Sequence, residues 1–214
     1  MKSKSTVTII LVGVGALFIL CLVVWGALAF GVGGKFLPSF IAPPAQTKKV
    51  TSGLFLILQS EKWGYMDRTG KIVIAPQFDD AHPFAEGFAL VSVGERWGFV
   101  DLTGKYIVNP LYDEGGDFSE GLAAVSRNDQ WGYVDKTGAV VIELKFSQVT
   151  DFSEGLAAVR TGSKVGYIDK TGKQVIAPQF DDGWPFEDGL ALVRVAEKFG
   201  YIDLRGQFVW GPKN

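Results

Sequence analysis

A short pattern recurs along this chain at an interval of 34 residues, and this interval constrains the fold more than any other feature. A large apolar residue is followed by glycine at 63–64, 97–98, 131–132, 165–166 and 199–200. Periodicity of this length is typical of one supersecondary unit copied in tandem, in which each copy buries its apolar face against its neighbours. We therefore divide the repeat domain, 54–214, into units 54–87, 88–121, 122–155 and 156–189 and a partial unit 190–214.

Each unit carries the signals of short strands and tight turns. An apolar run such as 88–91 is too short for a helix, and the alternating segment 97–101 is rich in aromatic and aliphatic residues. An Asp-x-x-Gly turn follows, as at 67–70, in which Asp accepts backbone hydrogen bonds and Gly tolerates positive φ. A third strand such as 72–74 is expected to end at the following proline, Pro76. The pattern predicts three antiparallel strands in each unit.

For the whole repeat domain we expect an all-β fold in which three-stranded antiparallel units stack as an open, twisted β-solenoid. A β-propeller is the alternative, although propeller blades usually carry four strands in about 40 to 45 residues. Because Val165 and Phe199 replace tryptophan in otherwise intact units, we expect Trp63, Trp97 and Trp131 to pack in the core. The glycine after each of them is expected where another backbone or ring approaches closely.

The N-terminal region predicts a membrane segment. No charged residue occurs over 5–34, and 9–32 is almost wholly apolar, which as a helix would reach about 36 Å. Lys2 and Lys4 precede this span, so the positive-inside bias predicts a cytoplasmic N-terminus and extracytoplasmic repeats. We assign 1–34 to this N-terminus and a single-pass signal-anchor helix, and 35–53 to a proline-containing linker. A cleaved signal peptide, cut after 27–29, is the alternative.

Composition excludes several functional classes. Acidic residues outnumber basic ones beyond the span, and the basic residues are dispersed, so a nucleic-acid partner is not expected. The sole cysteine, Cys21, lies within the span, so no disulfide is expected in the repeats. The recurrent aspartates supply one turn carboxylate per unit, which is too few for a calcium site, and we expect no metal and no cofactor.

Reactive side chains are scarce in the repeats. His82 is the only histidine, and its counterparts in the later units are Gly116, Thr150 and Trp184. A solvent-facing loop position is the simplest interpretation of this variable column. Since it varies while the scaffold does not, we take His82 and Trp184 as the candidate ligand-binding residues. We expect no catalytic residues and no enzymatic activity, because catalytic sites normally break the regularity of their scaffold.

The linked motifs resemble a known family. The Trp-Gly pattern, the Asp-x-x-Gly turn, the step at 76–79 and the closing segment typified by 84–87 together resemble the WG-repeat family of bacterial proteins, over roughly 54–210. The resemblance implies tandem β-rich units, often behind a signal or membrane segment, and it brings no catalytic residues. Leu144, where other units have proline, and the replaced tryptophans depart from the pattern.

These features together predict a cell-membrane protein whose extracytoplasmic repeats bind a partner. The anchor, the linker and the repeat surface beyond it favour a binding or interaction module without catalysis. The partner is expected to be a protein or an envelope glycan. A carboxylate-based glycan hydrolase of the cell envelope is the alternative, because acidic residues abound.

Overall fold

The computed structural model describes residues 53–212, whose regular structure consists of β-strands. Within this range no helix has the length and apolar character needed to cross a membrane. The predicted span, 9–32, and all but the last residue of the predicted linker lie outside the described residues. The strands are β1 (Phe55–Gln59), β2 (Lys62–Met66), β3 (Ile72–Phe78), β4 (Asp80–Ala81), β5 (Phe88–Val93), β6 (Arg96–Asp101), β7 (Tyr106–Tyr112), β8 (Glu114–Gly115), β9 (Leu122–Arg127), β10 (Gln130–Asp135), β11 (Val140–Phe146), β12 (Gln148–Val149), β13 (Leu156–Thr161), β14 (Lys164–Asp169), β15 (Gln174–Phe180), β16 (Asp182–Glu187), β17 (Leu190–Val195), β18 (Lys198–Asp203) and β19 (Phe208–Trp210).

The strands form five antiparallel sheets, numbered here along the chain. Sheet 1 has three strands, β1 to β3, and sheets 2 to 5 have four each: β4–β7, β8–β11, β12–β15 and β16–β19. The predicted repeat of antiparallel β-units is confirmed, but three strands per unit was wrong. The segment after the third strand forms a fourth, which pairs with the next unit: Asp80 lies opposite Ser92 and Ala81 opposite Val91. Each unit therefore gives its last strand to the following sheet, which ties consecutive units together through the backbone.

The third strand of each sheet continues through its proline. Pro76 lies inside β3, where Tyr65 pairs with Ile74 and Trp63 pairs with Phe78. Two positions on β2 therefore oppose four on β3, which makes a bulge at the proline, a residue with no N–H to donate. The same register shift recurs in sheets 2, 3 and 4, so the predicted end of the strand was wrong.

The bulge explains the glycine after each tryptophan position. A Cβ on Gly64 would lie 2.6 Å from the carbonyl oxygen of Ile74, and Gly98, Gly132 and Gly166 face equivalent carbonyls at 2.4 to 2.5 Å. Any side chain there would collide with backbone that cannot move without breaking the sheet. The expectation of a close backbone approach is confirmed.

The Asp-x-x-Gly turns also behave as predicted. The Asp67 carboxylate accepts hydrogen bonds from the backbone N–H of Thr69 at 2.8 Å and of Lys71 at 3.1 Å, and Gly70 has a φ of +84°. The Thr69 hydroxyl also donates to Asp67, and this bond is the main reason why the pKa of Asp67 lies below its usual value. The backbone hydrogen bonds recur at the other turn aspartates: Asp101, Asp135, Asp169 and Asp203.

The hydrophobic core lies between consecutive sheets, and its deepest residues come two positions after each tryptophan position. Tyr65, Phe99, Tyr133 and Tyr167 are fully buried. Each packs against the phenylalanine of the closing segment of its own unit, with ring centroids 4.7 to 5.0 Å apart. The indoles of Trp63, Trp97 and Trp131 are only partly buried at the margins of these clusters. The indoles therefore pack against the core, but the expectation that they fill it was wrong. The fully buried rings are those of tyrosine and phenylalanine.

Candidate functional site

One pair of facing residues separates sheet 4 from the sheets before it. In sheets 2 and 3 a buried serine lies opposite the tryptophan, as Ser92 opposite Trp97 and Ser126 opposite Trp131. In sheet 4 the pair is Arg160 opposite Val165. A small residue facing a large one has been exchanged for a large one facing a small one. Sheet 4 therefore lacks an indole at the position where sheets 1, 2 and 3 carry one.

A cavity of about 450 Å³ lies at this position, with walls from sheets 3, 4 and 5. Val165 lines it, and so do two indoles, Trp131 from sheet 3 and Trp184 from β16 in sheet 5. This volume falls in the range of small-molecule sites, which is roughly 300 to 1,000 Å³. The missing indole of unit 4 gives a physical reason for the space, because valine fills much less volume.

The other walls of the cavity are polar and firmly held. Arg160 donates from Nε to the Gln148 side-chain oxygen at 2.6 Å and from Nη2 to the Asp181 carbonyl at 2.9 Å, and it is ion-paired with Asp182. Arg194 also donates to Asp182, from Nε at 2.8 Å. This bond is the main reason why the pKa of Arg194 lies above its usual value. The bonds fix Gln148 and Asp182 in the wall of the cavity.

The remaining edge of the cavity is formed by Glu114 and by Trp184. The Tyr167 hydroxyl donates a hydrogen bond to the Trp184 carbonyl at 3.0 Å, and the Trp184 ring lies 6.0 Å from the ring of Phe199. Trp184 is thus held from both its backbone and its side chain. The arrangement offers two aromatic walls with carboxylate, amide and guanidinium groups around them.

The second sequence candidate, His82, lies elsewhere, in sheet 2. Its Nδ1 is 3.0 Å from Oδ1 of Asp117, and its ring centroid is 5.6 Å from that of Trp97. The hydrogen bond to Asp117 is the main reason why the pKa of His82 lies above its usual value, although partial burial opposes it. His82 is therefore a partnered residue between units rather than a free loop histidine, and it does not line the cavity.

Sequence reasoning placed Trp184 among the candidates but missed Val165, Arg160, Gln148, Asp182 and Glu114. The signal was available in part, because Val165 replaces the tryptophan of units 1 to 3 and Arg160 replaces the serine of units 2 and 3. That they face each other across two strands, with Trp131 and Trp184 on either side, follows only from the register. Within residues 53–212, no three histidine, cysteine or acidic side chains converge in a way that could hold a metal ion.

The sequence matches the family described as WG containing repeat at residues 63–97, 97–131, 131–164 and 166–199. These matches cover more than half of the chain. The protein belongs to the WG repeat family. The matches begin and end at or next to the tryptophan positions, so each spans about one repeat. The departure at Val165 falls in the gap between the third and fourth of them. No match was found among curated proteins.

The WG repeats also resemble solved structures at low sequence identity. A structure described as "Crystal structure of the eukaryotic initiation factor" has a TM-score of 0.53 and 13% identity over 75% of this chain and 52% of its own. One described as "KlHsv2 with loop 6CD replaced by a Gly-Ser linker" has a TM-score of 0.50 and 11% identity over 74% and 62%. The structure of Hsv2p from Kluyveromyces lactis has a TM-score of 0.49 and 13% identity over 71% of this chain and 58% of its own. The chain thus spans between half and two thirds of the length of these proteins, and the likeness concerns the β-sheet fold alone.

Proposed function

We propose that the WG repeats form a binding module without catalytic activity, and that its ligand occupies the cavity between sheets 3, 4 and 5. The observation that carries this proposal is the exchange of tryptophan for valine at position 165, which coincides with a cavity between Trp131 and Trp184. A substitution made only to keep the core packed would leave no such space. Here the space is flanked by rigid aromatic and polar groups, which is the usual composition of a ligand site.

The ligand class that fits best is a saccharide of an envelope glycan. A sugar ring has an apolar face, which packs on an indole, and hydroxyl groups at its edge, which need hydrogen-bond partners. The cavity supplies Trp131 and Trp184 for the face, and Glu114, Gln148 and Asp182 for the edge. A protein partner would instead need a larger contact surface than the residues of this cavity offer.

The carboxylates of the cavity favour binding over hydrolysis. Asp182 accepts a hydrogen bond from Arg160 on Oδ1 and one from Arg194 on Oδ2, so both of its carboxylate oxygens are occupied. A glycosidase needs one carboxyl group that is protonated and free to donate to the leaving oxygen. With both oxygens occupied, Asp182 is free neither for that role nor for the role of the second, ionised carboxylate, and Glu114 is the other carboxylate that lines the cavity.

The proposal can be tested with the full chain in detergent and soluble oligosaccharides from envelope glycans. Binding is followed by calorimetry and by the fluorescence of the indoles, and the same mixtures are analysed for cleaved products. We expect saturable binding without turnover. Trp184→Ala should weaken binding about tenfold, since a factor of ten corresponds to about 1.4 kcal/mol. Cleavage that is lost in Glu114→Gln would overturn the binding proposal in favour of the hydrolase.

Two further variants sharpen this test. His82→Ala changes the same repeat position in sheet 2, outside the cavity, and should leave affinity unchanged. The double variant Arg160→Ser with Val165→Trp copies the Ser126 and Trp131 pair of sheet 3 into sheet 4. It should fill the cavity and abolish binding while the protein stays folded, as judged by its circular dichroism.

We further propose that the module is tethered to the cell membrane by the apolar segment 9–32, with the repeats on the extracytoplasmic side. The proposal rests on the length of this segment and on Lys2 and Lys4 before it. Protein that stays in the membrane fraction after a carbonate wash, with repeats accessible to protease from outside, is the expected result. Protein released by the wash, with a new N-terminus near residue 30, would indicate a cleaved signal peptide instead.

We propose an open array for the five sheets rather than a closed ring. In support, Phe55 on sheet 1 is 43% exposed and Trp210 on sheet 5 is 64% exposed. Closure of a ring would require such residues to be covered. Small-angle scattering separates the two arrangements, because an open array has the larger maximum dimension for the same mass.

A further inference from the structure

The two end sheets expose apolar residues whose counterparts are buried in every other sheet. Tyr201 on sheet 5 is 42% exposed, whereas Tyr65, Tyr133 and Tyr167 are 0% exposed. Trp210 is 64% exposed, and its counterpart Ile176 is 3% exposed. We call the surface formed by Tyr201 and Trp210 the C-terminal face. It corresponds to the surface on which each earlier sheet receives the next one.

Sheet 1 exposes the complementary surface. Phe55 on β1 is 43% exposed, whereas its counterparts Ala89, Ala123, Ala157 and Ala191 are at most 1% exposed. A Cβ added to the turn glycine Gly70 would have no atom within 4 Å. A Cβ added to Gly104 would lie 3.1 Å from the Ile74 side chain, and one added to Gly206 would lie 2.8 Å from the Ile176 side chain, each on the preceding sheet. We call the surface of Phe55 and Gly70 the N-terminal face.

The interior interfaces also carry a polar contact that the end sheets leave open. Glu86 accepts hydrogen bonds from the backbone N–H groups of Glu120 and Gly121, both at 2.8 Å, in the closing turn of the next unit. Glu120 and Glu154 do the same for the glycine of the turn that follows theirs. Asp188 occupies this position in the last closing turn of the described residues. Gly53 is the first glycine of this column and has no described carboxylate before it.

Apolar ends are unusual for a repeat array, because terminal repeats normally present a polar outer face that keeps the protein soluble. The C-terminal and N-terminal faces instead keep the chemistry of an interior interface, and within residues 53–212 no sheet covers either of them. Exposed apolar surface of this kind marks an interaction site. The two faces are complementary. Between consecutive sheets, an apolar residue of one sheet packs against the turn glycine of the next, and the C-terminal face carries the first of these partners while the N-terminal face carries the second.

We propose that the C-terminal face of one chain binds the N-terminal face of a second copy of this chain, head to tail, continuing the repeat across the two molecules. Trp210 would lie over Gly70 of the second copy, and Asp188 would accept from the N–H of its Gly53. Such a contact is heterologous, so it extends to further copies or closes into a ring of chains.

The first test measures the mass of the full chain in detergent as a function of concentration, by sedimentation. We expect self-association that Trp210→Glu weakens at least tenfold. The matched control is Val209→Glu on the same strand: Val209 is 60% exposed, and its counterparts Val73, Val141 and Val175 are exposed as well. This control should associate like the wild type. A chain that stays monomeric at all concentrations, or equal weakening in both variants, would overturn the proposal.

The second test distinguishes a second copy from closure of a single chain. Phe55→Cys and Tyr201→Cys are prepared separately in a Cys21→Ser background and then mixed under oxidising conditions. Head-to-tail binding predicts a disulfide-linked heterodimer that forms in the mixture and is absent or scarce in either variant alone. A third variant carries both cysteines in one chain. If crosslinking occurs only within this third variant, or in no sample, binding to a second copy is excluded. Saccharide binding is read separately, so failure here leaves the proposed function standing.

Discussion

Sheets 3 and 4 share one backbone and differ in what their central strands carry. Both have a glycine under a bulge, a buried tyrosine and an Asp-x-x-Gly turn. Sheet 3 pairs Ser126 with Trp131, whereas sheet 4 pairs Arg160 with Val165 and borders the cavity. The comparison teaches that the repeat separates two tasks: invariant positions build the sheet, and one facing pair can be exchanged to make a site without changing the fold.

The invariant positions should be equally intolerant in both sheets, and this is the largest effect that we expect. Gly132→Ala and Gly166→Ala each place a Cβ 2.4 to 2.5 Å from a carbonyl oxygen. Each should lower the free energy of unfolding by about 3 kcal/mol, because backbone must move to admit the methyl group. Urea unfolding followed by circular dichroism measures this loss.

Gly155→Ala is the matched control for these glycines, since its φ is +81° and no atom lies within 4 Å of an added Cβ. It should lose only about 1 kcal/mol, from backbone strain. If Gly166→Ala is tolerated while Gly132→Ala is not, the bulge of sheet 4 has relaxed, and the two sheets do not share one framework.

The exchanged pair should be coupled, which a double-mutant cycle in sheet 3 can measure. Trp131→Val removes a partly buried indole, and Ser126→Arg forces a long side chain into a position that is 3% exposed. Each single change should cost about 1 to 3 kcal/mol. The double variant recreates the pair of sheet 4 and should cost at least about 1 kcal/mol less than the sum. Strict additivity in urea unfolding would show that the two positions vary independently.

The buried tyrosines offer a smaller and more selective test. Tyr65→Phe removes a hydrogen bond to the His82 carbonyl at 2.8 Å, far from the cavity, and Tyr167→Phe removes one to the Trp184 carbonyl at 3.0 Å. Each should cost about 1 kcal/mol, because phenylalanine already occupies this column as Phe99. Only Tyr167→Phe should also weaken saccharide binding, since it loosens Trp184. Equal saccharide affinity in both variants would show that Tyr167 does not support the binding site through Trp184.

The smallest effect concerns the two variable residues, His82 and Trp184, of which only His82 titrates. Its contact with Asp117 raises its pKa above the usual 6.5. Because the folded pKa is the higher one, the added stability is complete below the unfolded pKa and disappears as the pH rises through the folded pKa. The contribution should be well under about 1 kcal/mol, since the side chain is 41% exposed. Thermal unfolding between pH 6 and 8 measures it.

Asp117→Asn removes the partner of His82 and should flatten this part of the pH profile, while Trp184→Phe should leave the profile unchanged. A wild-type profile that rises with pH over this range would contradict the assignment, because it would require a lowered pKa for His82.

Much of the fold was predictable from the sequence because it is local. The turns follow from Asp and Gly four residues apart, and the close approach at Gly64 was predicted from its invariance among the units. The fourth strand was missed because Asp80 and Ala81 find their partners in the next unit, beyond the window in which a strand signal is read. Pro76 was taken for a strand end because its lack of an N–H ends regular pairing, but a bulge accommodates it.

The site was harder to predict than the fold. Trp184 was identified because it varies within its column, but so does His82, and variation alone could not separate a cavity wall from a contact between units. The depth of the aromatic residues was also misjudged. Tyrosine and tryptophan are both large and apolar enough for a core, and which one is fully covered depends on where the phenylalanine of the unit's closing segment lies, as Phe152 lies against Tyr133.

The sequence by itself determined that this protein is a tandem β-repeat, because a period of 34 residues and its turn chemistry act within one unit and need no knowledge of the neighbours. Only the tertiary structure decided that Val165 opens a space between Trp131 and Trp184, and that the end sheets present uncovered interior faces. The physical reason is that volume and burial belong to pairs of sheets. Whether a side chain fills space, leaves it or is exposed depends on what the next unit places against it.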